Sequence, residues 1–428
     1  MSSQIRYTDV TVPVGESSLS FSVPNLLQVV EPVHHPGVDS AAEIDRAIHS
    51  PIGTPPLSEI AKGKHSAAIV VNDITRPYAG RQMILAIADE LHKAGMQDDE
   101  IFLVVAYGAH RKNTDEELIR MYGEEVFRRF RYVHHDAFDS STLKTVGVTD
   151  GGVVVEINKE FAEAEVKITT GCIVPHQLAG FSGGRKSIIP GIAGFNTLKG
   201  HHSFPIRPEQ TSLGWIDHNP FHEEALKAAR IAGVDFIVNS VDNEDKEMVR
   251  CVCGDLRDAY IEGVRLSREI WSVPVRAKAD VVIVSPGGYP RDFDLHQSQK
   301  AIGCAEMMCR EGGHIILCAE MRDGGNKPGK MLREANTLEE ITDKFKAVGY
   351  TKDALSKTFM FARAMQHYHV SLIGSRIPAD EQREMFFEVH SSIEEAIRTD
   401  LARYGKNATF LVVPCASEVI PVFDKEDH

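Results

Sequence analysis

Cysteine is scarce in this chain: seven among 428 residues, at positions 172, 251, 253, 304, 309, 318 and 415. An odd number spread so thinly does not make the disulfide framework of a small secreted domain. Cys251-Val-Cys253 has the wrong spacing for a zinc knuckle, so the cysteines read as structural thiols, with Cys304 and Cys309 helping to pack a helix face. Positive charge is also in short supply. Lys and Arg number 47 against 61 Asp and Glu, a formal charge of −14. A surface that acidic repels phosphate backbones, which argues against nucleic acid as a partner. No apolar run reaches the ~20 residues of a membrane helix, and MSSQIRYTDV is not built like a signal peptide. A cytoplasmic protein with no membrane contact is expected. Internal repeats, low-complexity segments and an HExxH zinc motif are missing too.

What remains is an ordinary globular composition, 43% apolar and 25% charged, long enough for two or three domains. Apolar runs alternate with amphipathic stretches. Ala67–Val71, Ile101–Ala106, Val153–Ile157 and Val166–Thr170 read as strands, and Gly80–Leu91 and Thr114–Tyr122 as helices. The glycine-rich segment from Phe181 to Gly200 interrupts this rhythm. A helix at Pro220–Ala232, a strand at Asp235–Asn239 and a helix at Asp255–Glu269 follow. After Ser272–Val275 a second run starts with the strand Ala279–Ser285, a helix near Gln297–Glu311 and the strand His314–Cys318. Helices around 337–348 and 353–366 and the strand Thr409–Val413 complete it. The expectation is an α/β protein of two domains, 1–272 and 273–428, with mostly parallel sheets and an active site in the interdomain crevice. The last residues are free to pack back on the N-terminal domain.

Ligands of open α/β sheets sit outside the carboxyl ends of the strands, and reactive residues recur there. Asp73-Ile-Thr75-Arg76-Pro follows the first run, His110-Arg111 the second, and His176 the strand ending near Thr170. In the second domain Gly287-Gly288-Tyr-Pro leads to Gln297 and Lys300. Gly180-Phe-Ser-Gly183-Gly184-Arg185-Lys186-Ser187 invites a P-loop reading but fails it. Arg185 stands where glycine must precede the lysine, and Ile188-Ile-Pro190-Gly191 interrupts the helix that must follow. The segment reads instead as a phosphate-friendly loop around a placed lysine.

DITRP (73–77), AYGAHR (106–111), PHQLAGFSGGRKSIIPGI (175–192), His202 and SPGGYPRDFDLHQSQKAI (285–302) closely resemble the nickel-dependent lactate racemase family, in the same order and spacing across both domains. The resemblance implies a nickel pincer nucleotide, a pyridinium-3-thioamide-5-thiocarboxylic acid mononucleotide, covalently attached through Lys186. Its Ni(II) is held by two sulfurs, a ring carbon and one histidine, here His202, with His201 the less favoured neighbour; that planar set suits the metal. Asp73, Thr75, Gly183, Gly184 and Arg185 are the further cofactor-binding candidates, Asp73 as an orienting group for a histidine or the cofactor. His110 and His176 match the catalytic pair. Arg76, Gln297 and Lys300 match the holders of the substrate carboxylate, with the two domains closing over it. Cofactor-maturation enzymes are implied as partners, and assembly into an oligomer stays open.

That chemistry is sound for a 2-hydroxy acid. Its C–H is too weakly acidic to invert by proton removal, whereas moving a hydride needs an acceptor plus a base for the hydroxyl proton on each face. Two departures from lactate-acting members bear on the substrate. His296 replaces a tyrosine before Gln297, and Lys357-Thr-Phe-Met-Phe361 stands where a tryptophan covers the site. A larger or more polar acid of the malate or sugar-acid type is expected, with His296 and Arg291 meeting its extra polar or anionic group. Two alternatives remain: a dehydrogenase-like or hydrolytic enzyme on the same scaffold, against which the missing GxGxxG counts, and a non-catalytic carrier of the nickel cofactor.

Overall fold

The computed structural model describes residues 6–75, 80–203, 211–351 and 354–423. They form two compact units: the described residues of His34–Phe204 and Gly214–Ile270 in one, and those of Met1–Val33, Pro205–Leu213 and Trp271–His428 in the other. Each is α/β with a mostly parallel sheet.

The first unit is built on six strands in the order Met248–Gly254, Phe236–Asp242, Val166–Cys172, Ala67–Asn72, Ile101–Ala106 and Arg131–His134. All neighbours are parallel except Met248–Gly254 against Phe236–Asp242. The central strands are continuous apolar runs, buried from Ala67 to Val71 for example, as a sheet covered on both faces requires. Met83, Ile84, Ile87 and Leu91 of the helix Gly80–Lys93 supply one cover at helical spacing. Thr114 and Glu117 form a capping box that starts the helix Asp115–Arg129. Val154–Asn158 lies outside this sheet and pairs antiparallel with Leu143–Val148.

The second unit holds five parallel strands in the order His369–Ile373, Cys309–Cys318, Ala279–Val284, Phe410–Val413 and Leu26–Val29. Residues 6–33, expected in the N-terminal domain, group here for a physical reason. Leu26–Val29 is the sheet's edge strand, and Val12, Phe21 and Val23 of the hairpin Tyr7–Val14/Ser17–Pro24 pack on Ile283, Ile316 and Val412. At the other end of the expected N-terminal domain, the units change between Ile270 and Trp271. Ile420–Phe423 pairs with Ser272–Val275 inside its own unit, and residues beyond 423 lie outside the described ones. All seven cysteines are free, five of them buried, and Cys309 opens a strand instead of lying on a helix. Among the described residues no helix is long and apolar enough to cross a membrane.

Candidate functional site

Three neighbouring parallel strands of the first unit deliver Asp73, His110 and His176 just past their carboxyl ends. Asp73 is 3% exposed. Its Oδ1 accepts the Thr75 backbone N–H at 3.0 Å and the Thr75 hydroxyl at 2.5 Å, while Oδ2 accepts the His110 Nδ1–H at 2.7 Å. Asp73 and Thr75, expected among the cofactor contacts, are thus tied to each other and to His110. Of the two orienting roles expected for Asp73, the structure displays the one toward histidine. With its proton on Nδ1, His110 carries its lone pair on Nε2. His176 is arranged the other way round: its Nδ1 accepts the backbone N–H groups of Leu178 and Ala179, both at 3.2 Å, so the neutral ring carries its proton on Nε2.

The loop bearing His110 is stitched to the lysine segment. Gly108 N–H donates to Gly191 O at 2.8 Å, and Gly191 N–H to Lys186 O at 3.1 Å. Lys186 itself sits in the short turn Gly184–Ser187. Its neighbour Arg185, expected among the cofactor contacts, is turned into the protein's interior. The side chain is 0% exposed; its guanidinium donates to Tyr260 Oη, to Ala179 O at 2.7 Å and to Gly183 O at 3.2 Å, and lies over the Tyr260 ring. Burial lowers its pKa. Gly183 and Gly184, also among the cofactor-binding candidates, are required by the protein's own packing. Both have positive φ, and a Cβ would strike Asn239 and Ile173 from one and the Tyr260 ring from the other. Asn239 and Tyr260, which the sequence reading passed over, therefore hold the loop, with Asn239 Oδ1 accepting the Gly184 N–H at 2.8 Å. A signal was available for Asn239: it is a polar residue inside the wholly buried strand Phe236–Asp242.

His201 and His202 end the helix Phe195–His202. His201 Nε2–H donates to Phe221 O at 2.8 Å. Burial, with the nearby Lys186 and Arg185 charges, brings its pKa down to about 4, so the ring is neutral and its Nδ1 is an acceptor. The His202 Nδ1 lies 3.3 Å from it, a pairing that favours the proton on His202 Nδ1 and the lone pair on its Nε2. Burial, His201 and the Lys186 ammonium hold His202 far below its usual pKa. A neutral imidazole of fixed tautomer beside a lysine amine suits a metal ligand next to a lysine-tethered group.

In the second unit His296, Gln297 and Lys300 lie on the helix Leu295–Met308, whose N-cap Asp294 accepts the Gln297 N–H at 2.7 Å. Lys300 Nζ donates to Gln297 Oε1 at 3.1 Å. Burial first, then the Lys357 charge, brings the His296 pKa down to about 4. His296 is therefore neutral near pH 7, and the cation beside it is Lys357, which also donates to Gln299 Oε1 at 3.2 Å. Arg291 donates to Cys415 Sγ at 3.1 Å, and Phe359, Met360 and Phe361 are buried in the unit. Arg76 lies outside the described residues.

Comparison with known proteins gives a consistent picture. Residues 14–214 match the family model of the lactate racemase N-terminal domain, and residues 275–421 that of the C-terminal domain. The chain is 33% identical over 392 residues to a lactate racemase of Lactiplantibacillus plantarum, covering 90% of this chain and 92% of that protein. It is 29% identical over 422 residues to a lactate racemase of Thermoanaerobacterium thermosaccharolyticum, covering 96% and 99%. The solved lactate racemase apoprotein of the latter organism superposes with a TM-score of 0.88 at 29% identity, over 97% of this chain and all of that one. A Thermotoga maritima structure shares the fold at a TM-score of 0.60 and 17% identity, over 91% of this chain and 100% of that one.

Proposed function

The chain belongs to the lactate racemase family, and from that premise we propose that it inverts a 2-hydroxy acid on a nickel pincer nucleotide tethered through Lys186, with His110 and His176 as the acid/base pair. The observation that carries this reading is the placement of two histidines past strand ends of one sheet, His110 with its Nδ1 on the buried Asp73 carboxylate and His176 with its Nδ1 against the backbone N–H groups of Leu178 and Ala179. A racemase working on both enantiomers needs one group ready to take the hydroxyl proton and another ready to return it.

Lys186 would hold the cofactor and His202 its metal; once bound, the group supplies the acceptor for the hydride on C2. The protein does the rest. His110 Nε2 takes the hydroxyl proton of one enantiomer, and the buried Asp73 carboxylate stabilises the imidazolium that results. For the opposite face His176 would act as an imidazolium, its Nδ1 protonated and released from the Leu178 and Ala179 N–H groups; giving its Nε2 proton to the oxygen then leaves a neutral ring, and the reverse reaction exchanges the two roles. Gln297 and Lys300, with Arg76, hold the substrate carboxylate. Asn239, Tyr260 and the buried Arg185 keep the lysine loop in place.

On the substrate, the relatives are named for lactate. The second unit supports a longer acid for this chain. A neutral His296 offers a hydrogen bond to a hydroxyl or carbonyl, and the adjacent Lys357 offers charge to a second carboxylate. Malate-type and sugar-acid substrates fit that pair better than a methyl group does.

The test uses protein produced together with the cofactor-making enzymes. Intact mass with peptide mapping and nickel analysis should give an adduct on Lys186 and about one nickel per chain, absent from Lys186→Ala. Single enantiomers of lactate, malate and sugar-derived 2-hydroxy acids should then lose optical purity, malate or a sugar acid fastest. An unmodified lysine, in a host that loads a known relative, sinks the cofactor assignment. A normal adduct with no turnover in either wild type or His110→Ala sinks the catalytic one. Lactate outpacing every longer acid sinks only the substrate preference.

A further inference from the structure

We propose that the second unit carries a binding site for one divalent transition ion of the zinc class, formed by His314, Glu388 and His390. One donor atom from each of the three lies within 4.8 Å of the others. Backbone pairing brings them together. His314 is in register with His369 on adjacent parallel strands, and the chain at Glu388 runs alongside the outer of these, bridging to Ser371 and donating its N–H to Val370 O at 2.8 Å. His369 is the first residue of its strand. The cluster therefore sits at the amino ends of the strands, whereas the helix with Gln297 and Lys300 leaves the sheet after a carboxyl end.

Two independent features point to an ion. His314 is fully buried, and its Nδ1–H donates to Asp400 at 2.8 and 2.9 Å, so its lone pair is on Nε2, where it accepts the Ser371 hydroxyl at 2.9 Å, a hydrogen bond the ion would displace. A buried carboxylate behind an imidazole is how proteins fix the tautomer of a metal-ligating histidine. His390 supplies the second feature. Its side chain is 8% exposed, its Nε2 has no hydrogen-bond partner, and the Glu388 carboxylate stands 3.8 Å away, beyond hydrogen-bond reach. A buried polar nitrogen in that state calls for a partner. An ion about 2.0–2.2 Å from each donor would draw the donors to roughly 3.4 Å apart, a small movement of side-chain ends.

The chemistry of the set selects the ion. Two imidazoles and one carboxylate suit zinc, while calcium and magnesium ask for oxygen donors. Glu388 already accepts from Arg403 at 2.9 and 3.0 Å and from His369 at 2.7 Å. A carboxylate has about four lone-pair positions, so Arg403 can remain as an outer partner while the ion takes another. Bound there, the ion pins the 388–390 segment to the sheet.

The experiment uses the full chain, tag-free, chelator-stripped and produced without the cofactor-making enzymes, titrated with zinc. Wild type should take up one equivalent and melt at a higher temperature with zinc than without. His202→Ala should keep both behaviours, which separates this site from the one at Lys186. His390→Phe should lose the equivalent and the thermal shift, and Glu388→Gln should weaken binding by at least about tenfold. Since a histidine change in a packed region can harm folding, cobalt(II) provides a second readout: visible bands of a tetrahedral site in wild type, absent in Glu388→Gln. No zinc uptake by wild type, or full uptake by both His390→Phe and Glu388→Gln, overturns the proposal.

Discussion

At Asp73 the two carboxylate oxygens have different partners, Thr75 on one and His110 on the other. Asp73→Asn keeps the size and an acceptor for Thr75 but turns an amide N–H toward His110. The imidazole then settles with its proton on Nε2 and loses the lone pair it offers the substrate. We predict a fall in kcat on the order of 10²–10⁴-fold, with nickel content and KM nearly unchanged; a normal kcat would show that Asp73 does not set the tautomer. Lys357 makes the substrate preference testable at one side chain. Lys357→Met should raise KM for malate about tenfold, the worth of one charged hydrogen bond, and leave KM for lactate within about twofold. Equal changes for both acids would remove Lys357 from the specificity argument. Asp73 and His110 were legible in the sequence because position past a strand end is a property of the chain's own order. Arg185 was not, since the guanidinium's fate is decided by Tyr260, a residue on a distant helix. An arginine beside a candidate lysine reads as ligand-binding until its burial is known. The charge state of His296 was equally out of reach of the sequence, since burial and the Lys357 charge set it.

The short turn that carries Lys186 adds to its internal bonds two anchors from elsewhere, one on the strand Phe236–Asp242 and one on the helix Asp258–Trp271. Asn239→Ala leaves the Gly184 N–H buried without its acceptor, a loss of about 1–3 kcal/mol. We predict that much destabilisation in denaturant unfolding, together with a smaller modified fraction of Lys186 by intact mass. Destabilisation with full loading would mean the loop does not need this anchor to receive the cofactor. Buried parallel strands were easily read because their apolar runs are continuous, as in Ala67–Val71 and Val281–Val284. The hairpin Tyr7–Val14/Ser17–Pro24 and the edge strand Leu26–Val29 were not. Their burial pattern is mixed, and what assigns them to the second unit is long-range: the edge strand pairs with Phe410–Val413, near the other end of the chain, and the hairpin packs on Ile283, Ile316 and Val412. Val154–Asn158 was seen as a strand, but its partner Leu143–Val148 is largely unburied, and half-exposed pairs leave a weak trace in sequence.

Across the whole molecule two effects oppose each other as the medium is acidified from pH 7. The formal charge is −14 with an isoelectric point near 5.8, so protonation relieves self-repulsion and on that ground alone stabilises the fold. Buried neutral histidines act in the other direction. Burial brings the His135 pKa down to about 4 and, with Arg185 and Arg257 nearby, the His222 pKa down to about 3. Below the unfolded value of about 6.5 the unfolded chain takes up a proton at each position, whereas the folded chain takes none until about pH 4 or 3. The unfolded state binds more protons throughout that window, so stability is full above pH 6.5 and declines as pH falls. At pH 5 each histidine accounts for roughly 2 kcal/mol, from 1.5 units at about 1.4 kcal/mol per unit. That exceeds the modest gain from weakened surface repulsion, which salt screens further. We therefore predict that the urea midpoint of the apoprotein falls steadily between pH 7 and pH 5, and that His135→Phe with His222→Phe, which keeps two rings but neither titration, flattens the fall. A midpoint that rises toward pH 5.8 in wild type would mean that charge repulsion governs and that these histidines are not held neutral. An unchanged slope in the double variant would move the acid sensitivity to other groups, His201, His202 and His296 among them.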